Sequence, residues 1–138
     1  LLVVDVTVYS LRLLSELLKI YGYTVRPAPN GKLALSAAQA NPPDLILLDI
    51  LMPEMNGYEV CEKLKADERT RDIPVIFISA LDGLIDKVKA FSIGGVDYIC
   101  KPFQEDEVLA RIKTHIELRR LQQKLEKQNE KLYQLVWA

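Results

Sequence analysis

Apolar residues recur along the first hundred positions in two alternating patterns. Continuous runs occur at Leu1-Leu2-Val3-Val4, Leu45-Ile46-Leu47-Leu48 and Val75-Ile76-Phe77-Ile78, with shorter ones at Thr24-Val25-Arg26 and from Val96 to Cys100. Hydrophobicity that runs on rather than alternating is the mark of strands buried on both faces. Between the runs the apolar positions take helical spacing, as in Leu11, Leu14, Leu18 and Tyr21, in Val60 and Leu64, and in Leu84, Val88 and Phe91. Gly22, Asn30-Gly31, Asn41-Pro42-Pro43, Asn56-Gly57 and Gly94-Gly95 read as turns between these segments. Strands alternating with helices predict a doubly wound α/β fold, a five-stranded parallel sheet covered on both faces and joined by right-handed crossovers.

Sheets of this kind gather their chemistry at the carboxyl ends of the strands. There the first strand ends in Asp5, the third in Asp49, the fourth in Ser79 and the fifth in Lys101-Pro102. Two clustered carboxylates repel unless a cation lies between them. A hard divalent ion such as Mg²⁺ suits such an edge. Lys101 supplies a point charge for an incoming anion and Ser79 a small hydrogen-bond donor, so the set fits a phosphoryl group meeting a carboxylate nucleophile. Singly, each residue has an ordinary explanation. Asp5 can be a turn former or cap for a helix beginning near Ser10, Ser79 a loop serine and Lys101 plain surface. Their joint placement at four strand ends is what carries the reading.

Composition narrows the class without changing it. The 138 residues fit one domain, 49% hydrophobic and 27% charged, and the net charge of −1 gives no sign of direct nucleic-acid binding. Cys61 and Cys100 form neither a metal-ligand spacing nor a disulfide framework, which points to a reducing, cytoplasmic setting. No apolar run approaches the roughly 20 residues that span a bilayer, so no membrane association is expected. The chain opens at Leu1, inside a strand pattern, and reads as a fragment of a longer protein.

At this point the sequence resembles the receiver domain of two-component response regulators, over residues 1 to about 118. The stretch from Asp49 to Tyr58, Asp-Ile-Leu-Met-Pro-Glu-Met-Asn-Gly-Tyr, is close to a family signature. Ile78-Ser79-Ala80 and the run from Asp97 through Tyr98, Lys101 and Pro102 to Phe103 match at the expected intervals. The resemblance implies a flavodoxin-like sheet of order 2-1-3-4-5 and a switch able to catalyse its own phosphorylation and dephosphorylation, not a turnover enzyme. Asp49 would accept a phosphoryl group from a sensor histidine kinase or phosphotransfer protein. Mg²⁺ would be held by Asp5, Asp49 and the backbone carbonyl of Leu51. Lys101 would contact the phosphate, and its bond to Pro102 would be cis. Ser79 would swing toward the phosphate and Tyr98 would follow by changing rotamer, a two-state response to a local charge. The surface of helix four, strand five and helix five would carry the output.

The first loop departs from the family pattern. An acidic pair is usual after the first strand, and here it reads Asp5-Val6, followed by Thr7-Val8-Tyr9-Ser10 without the proline often found there. One acid fewer should weaken Mg²⁺ binding and slow phosphoryl transfer. A working but weakened site is the favoured expectation. The alternative is a pseudo-receiver, a phosphorylation-independent interaction or dimerisation module. A phosphatase with a carboxylate nucleophile ranks last, because the second Asp such enzymes carry two residues on is Leu51 here.

From Phe103 the chain reads as one helix. Leu109, Ile112 and Ile116 make a stripe for the sheet. A second seam, Leu118, Leu121, Leu125, Gln128, Leu132 and Leu135, is spaced three and four alternately. The step from 116 to 118 turns it away from the first stripe. Residues 119–138 are therefore expected to be a helical extension, a parallel coiled coil that makes a homodimer and leads to an output domain. His-Ile-Glu-Leu-Arg-Arg at His115 only faintly echoes a kinase phosphorylation box, since no acid directly follows the His, and it is rejected as one.

Overall fold

The computed structural model describes residues 1–80 and 87–137. Five parallel strands, β1 (Leu2–Val4), β2 (Arg26–Ala28), β3 (Ile46–Asp49), β4 (Val75–Ala80) and β5 (Asp97–Lys101), form one sheet of order β2-β1-β3-β4-β5. They alternate with α1 (Val8–Ile20), α2 (Gly31–Ala40), α3 (Gly57–Ala66), α4 (Lys87–Ser92) and α5 (Glu105–Trp137). The doubly wound, flavodoxin-like architecture expected from the sequence is the one observed. Leu84, assigned by its spacing to the fourth helix, lies outside the described residues.

The strand pleat divides the core in two. Leu2, Val4, Ile46, Leu48, Val75 and Phe77 pack with Ala34, Val60 and Leu64 from α2 and α3. Val3, Leu47, Ile76, Ile78 and Ile99 pack with Leu14 and Leu18 of α1 and with Val108, Ile112 and Ile116 of α5. Successive side chains point to opposite faces, so continuous apolar strands fill both layers. The three α5 residues each contribute roughly 1.5–3 kcal/mol by burial. That fixes the first turns of α5 to the sheet. Beyond Ile116 no side chain of the helix is buried, and Leu118, Leu121, Leu125, Leu132 and Leu135 are all exposed, on the far side as their spacing predicts.

Three local expectations need correction. Asn30-Gly31 and Asn56-Gly57 are not free turns but helix starts. Asn30 Oδ1 accepts the Leu33 N–H at 2.9 Å and Asn56 Oδ1 the Glu59 N–H at 3.0 Å, so each Asn caps and each Gly is the first helical residue. The second strand lies at Arg26–Ala28 rather than Thr24–Arg26. Pro27 is tolerated because β2 is an edge strand, where a missing N–H costs no ladder bond. Helix α1 begins at Val8, ahead of Ser10, and its capping residue Thr7 makes no side-chain cap.

Candidate functional site

Strand register brings the predicted residues to one level. Val4 pairs with Leu48, Asp49 with Ile78, Ser79 with Cys100 and Ala80 with Lys101. Asp5 therefore follows β1 beside Asp49 at the end of β3, with Ser79 and Lys101 at the ends of β4 and β5. Asp5, Asp49 and Ser79 are buried.

Asp5 has two roles. Its Oδ1 accepts the Thr7 N–H at 2.9 Å and turns the chain toward α1, the structural role a lone Asp suggests. Its Oδ2 is buried and makes no hydrogen bond of ordinary geometry. What neutralises it is the Lys101 ammonium 2.9 Å away. The same ammonium lies 3.6 Å from Asp49 Oδ2. Burial pushes the Asp49 carboxyl up to about 7, and its neighbour Asp5 adds to the rise; Lys101 and the Leu51 N–H work against it.

Two buried carboxylates side by side, with Asp5 Oδ2 balanced only by the Lys101 ammonium, fit the donor chemistry of Mg²⁺, which takes one or two protein carboxylates and keeps several waters. Among the described residues no cluster of three or more His, Cys, Asp or Glu side chains is placed to hold a metal. Val6 is 40% exposed and offers no oxygen. Asp5 and Asp49 are the carboxylates at this edge, and Leu51, whose carbonyl the resemblance names as a third donor, is itself exposed.

Ser79 Oγ donates to the Ala80 carbonyl at 3.2 Å. The Lys101–Pro102 bond is cis, as the resemblance implies. Tyr98, half-buried on β5, packs its ring edge-on to Phe91 at 6.4 Å between centroids.

Gly57 belongs to the site although its sequence context suggested only a turn. A Cβ there would meet the Asp49 carbonyl oxygen at 2.3 Å and Ile50 Cα at 2.8 Å. Only glycine lets α3 start directly against the Asp49 backbone, with the Gly57 N–H bonded to the Ile50 carbonyl at 2.9 Å. The loop between them is shaped by Glu54, which takes φ 67. The Asn-Gly pair was the available signal, but an open turn and a close approach look alike in sequence.

His115 is not exposed for chemistry. Its Nε2 lies 3.0 Å from Asp97 Oδ2. Cys61 is buried and Cys100 exposed, both free. No described helix is long and apolar enough to cross a membrane.

Comparison with known proteins agrees with this geometry. Residues 1–113 match the family model of the response regulator receiver domain. The DNA-binding dual master transcriptional regulator RpaA of Synechocystis sp. is 43% identical over 101 residues, 73% of this chain and 42% of that protein. The response regulator PleD of Caulobacter vibrioides is 42% identical over 113 residues, 82% of this chain and 25% of that protein. The chain thus spans less than half the length of these curated relatives. Among solved structures, the chemotaxis protein CheY4 of Vibrio cholerae superposes with a TM-score of 0.77 at 26% identity, covering 82% of this chain and 94% of that one. The response regulator StyR superposes with a TM-score of 0.85 at 27% identity, covering 99% and 68%. The chain therefore belongs to the receiver domains of two-component response regulators.

Proposed function

We propose that this receiver is a phosphoryl-accepting switch, modified on Asp49 by a sensor histidine kinase or a phosphotransfer protein. The observation that carries the proposal is the buried Asp5–Lys101–Asp49 arrangement, a nucleophilic carboxylate held beside a second carboxylate and one ammonium. In the transfer, an Asp49 oxygen forms a bond to phosphorus as the donor's bond to phosphorus breaks, and the donor keeps that electron pair. Lys101, already between the two carboxylates, provides charge for the incoming phosphoryl oxygens. Ser79 is one residue beyond the register partner of Asp49 and has a hydroxyl free to exchange its Ala80 bond for one to the phosphoryl group. Asp5, Asp49 and the Leu51 carbonyl would hold Mg²⁺, which when bound neutralises charge developing on those oxygens. Tyr98 would follow Ser79, and α4, β5 and α5 would present the outcome to an output domain.

The exposed seam of α5 supports a second element of the proposal, a homodimer through the C-terminal helix. The pseudo-receiver reading rests on Val6 alone. Incubation with Mg²⁺ and a small acyl phosphate, followed by intact-mass measurement, separates the two. One phosphoryl adduct on the native chain and none on Asp49→Asn is the expected result. No adduct on either, with no Mg²⁺ binding, would mean a phosphorylation-independent module.

A further inference from the structure

The start of β5 carries a cluster that phosphoryl chemistry does not use. Asp97 opens the strand, and its carboxylate reaches three partners. Oδ1 accepts the Tyr98 N–H at 2.9 Å and a hydrogen bond from Arg111 Nη1. Oδ2 faces His115 Nε2 at 3.0 Å. Arg111 and His115 are one turn apart on α5, so their spacing turns both toward the strand. The Arg111 guanidinium also lies over the Tyr98 ring, 5.7 Å from its centroid, while Glu107 steadies Arg111 Nε from the preceding turn at 3.2 Å. The Asp97 and His115 side chains are only 17% and 15% exposed, so solvent screens this pair less than a surface one. Desolvation alone would raise the Asp97 carboxyl. Arg111, the Tyr98 N–H and His115 outweigh it and hold the group below the ordinary carboxylate range.

We infer that Asp97 is the joint between Tyr98 and the C-terminal helix: one carboxylate holds the Tyr98 backbone and the Arg111 that covers the Tyr98 ring, so ring and helix move as a unit. Asp97 and Arg111 are positioning residues. A rotamer change at Tyr98 removes the surface on which Arg111 lies, and Arg111 shares its carboxylate with His115, three residues before the exposed seam begins at Leu118. The signalling meaning of the joint rests on the proposed role of Tyr98 as a switch. The coupling itself does not require phosphorylation.

Hydrogen exchange of residues 105–116 in the full chain tests it. Asp97→Asn and Tyr98→Ala should each raise exchange about fivefold, and the double variant should exchange no faster than the faster single one. Arg111→Lys keeps the charge but loses the planar guanidinium. It should leave helix exchange near native while shifting the Tyr98 ring signals in NMR spectra, a separation that an ion pair serving stability alone does not give. Independent, multiplying effects of Asp97→Asn and Tyr98→Ala, or unmoved ring signals in Arg111→Lys, would overturn the joint. Acyl phosphate adds a second arm. With Asp49 modified by mass, exchange in α5 should change in the native protein and not in Asp97→Asn; a change that persists in Asp97→Asn counts against the joint. If Asp49 takes no phosphoryl group, the phosphorylation reading fails, while the unmodified variants still decide the coupling.

Discussion

Lys101 Nζ lies 2.9 Å from Asp5 Oδ2, closer than to Asp49 Oδ2 at 3.6 Å. Asp5 is fully buried and this ammonium is its only counter-charge among the described residues, so Lys101 serves the fold itself. Removing one partner of a buried pair strands the other. Because the Lys101 side chain is 22% exposed, water partly compensates. Lys101→Met should destabilise the metal-free protein by about 2 kcal/mol in urea denaturation. Added Mg²⁺ should recover more stability in the variant than in the native protein, since a cation no longer has to share the two carboxylates with the ammonium.

Asp49 makes a prediction about pH. Its folded carboxyl is raised to about 7, whereas the unfolded one titrates near 4. The native state then holds the proton more tightly, and stability falls as pH rises from about 4 through about 7. Asp49→Asn removes that loss. The variant should be more stable than the native chain by roughly 1–3 kcal/mol at pH 8, with the gain shrinking to nothing near pH 4, as followed by denaturation across pH. A gain of the same size at both ends would mean the charge is not its cause.

The first loop can be tested by substitution. Val6 is partly exposed, so an acid placed there costs little in burial and adds an oxygen beside Asp5. Val6→Asp should tighten Mg²⁺ binding about tenfold or more and raise the rate of acyl-phosphate modification of Asp49. Calorimetric Mg²⁺ titration and the time course of intact mass check both. An unchanged rate would mean that Asp5, Asp49, Leu51 and water already supply what the site needs.

Gly57 predicts a coupled loss of stability and reactivity. An alanine methyl has to displace the Asp49 carbonyl or the Ile50 backbone, at the end of β3 and just beyond it. Gly57→Ala should cost about 3 kcal/mol by overpacking and slow Asp49 modification in protein that remains folded. An alanine variant with native stability and native rate would contradict the close approach.

Why these residues were legible, and others not, follows from the range of the forces involved. Asp5, Asp49, Ser79 and Lys101 could be placed together because the pleat and the parallel register follow from apolar runs alone, and the runs end where the polar residues begin. The Asn-Gly pairs were read as turns because the same dipeptide also starts helices; the difference lies in whether an N–H three residues on is free to be capped. Val108 was absent from the predicted stripe, yet it is fully buried, because the sheet-facing side of α5 is wider than a three-residue stripe. The Asp97–Arg111–His115 cluster was out of reach. Its members on α5 share a helix face, but nothing local says which strand start that face will meet.

The tail of α5 gives the last prediction. Leu118, Leu125 and Leu132 alternate with Leu121, Gln128 and Leu135 in a heptad, and all five leucines are exposed although they lie on one seam. Burying such a seam against a second copy removes apolar surface at roughly 25 cal/mol per Å². The receiver core does not depend on it, since Val108, Ile112 and Ile116 hold the helix to the sheet. Light scattering should therefore show a dimer for the full chain and a monomer for the Leu121→Lys, Leu125→Lys double variant, with the melting temperature of the receiver nearly unchanged. Gln128 is the polar layer in that seam, and such a layer fixes register and stoichiometry at some cost in stability. Gln128→Leu should accordingly tighten association and admit species larger than a dimer. If Gln128→Leu leaves association untouched, residues 118–135 do not pair through this face.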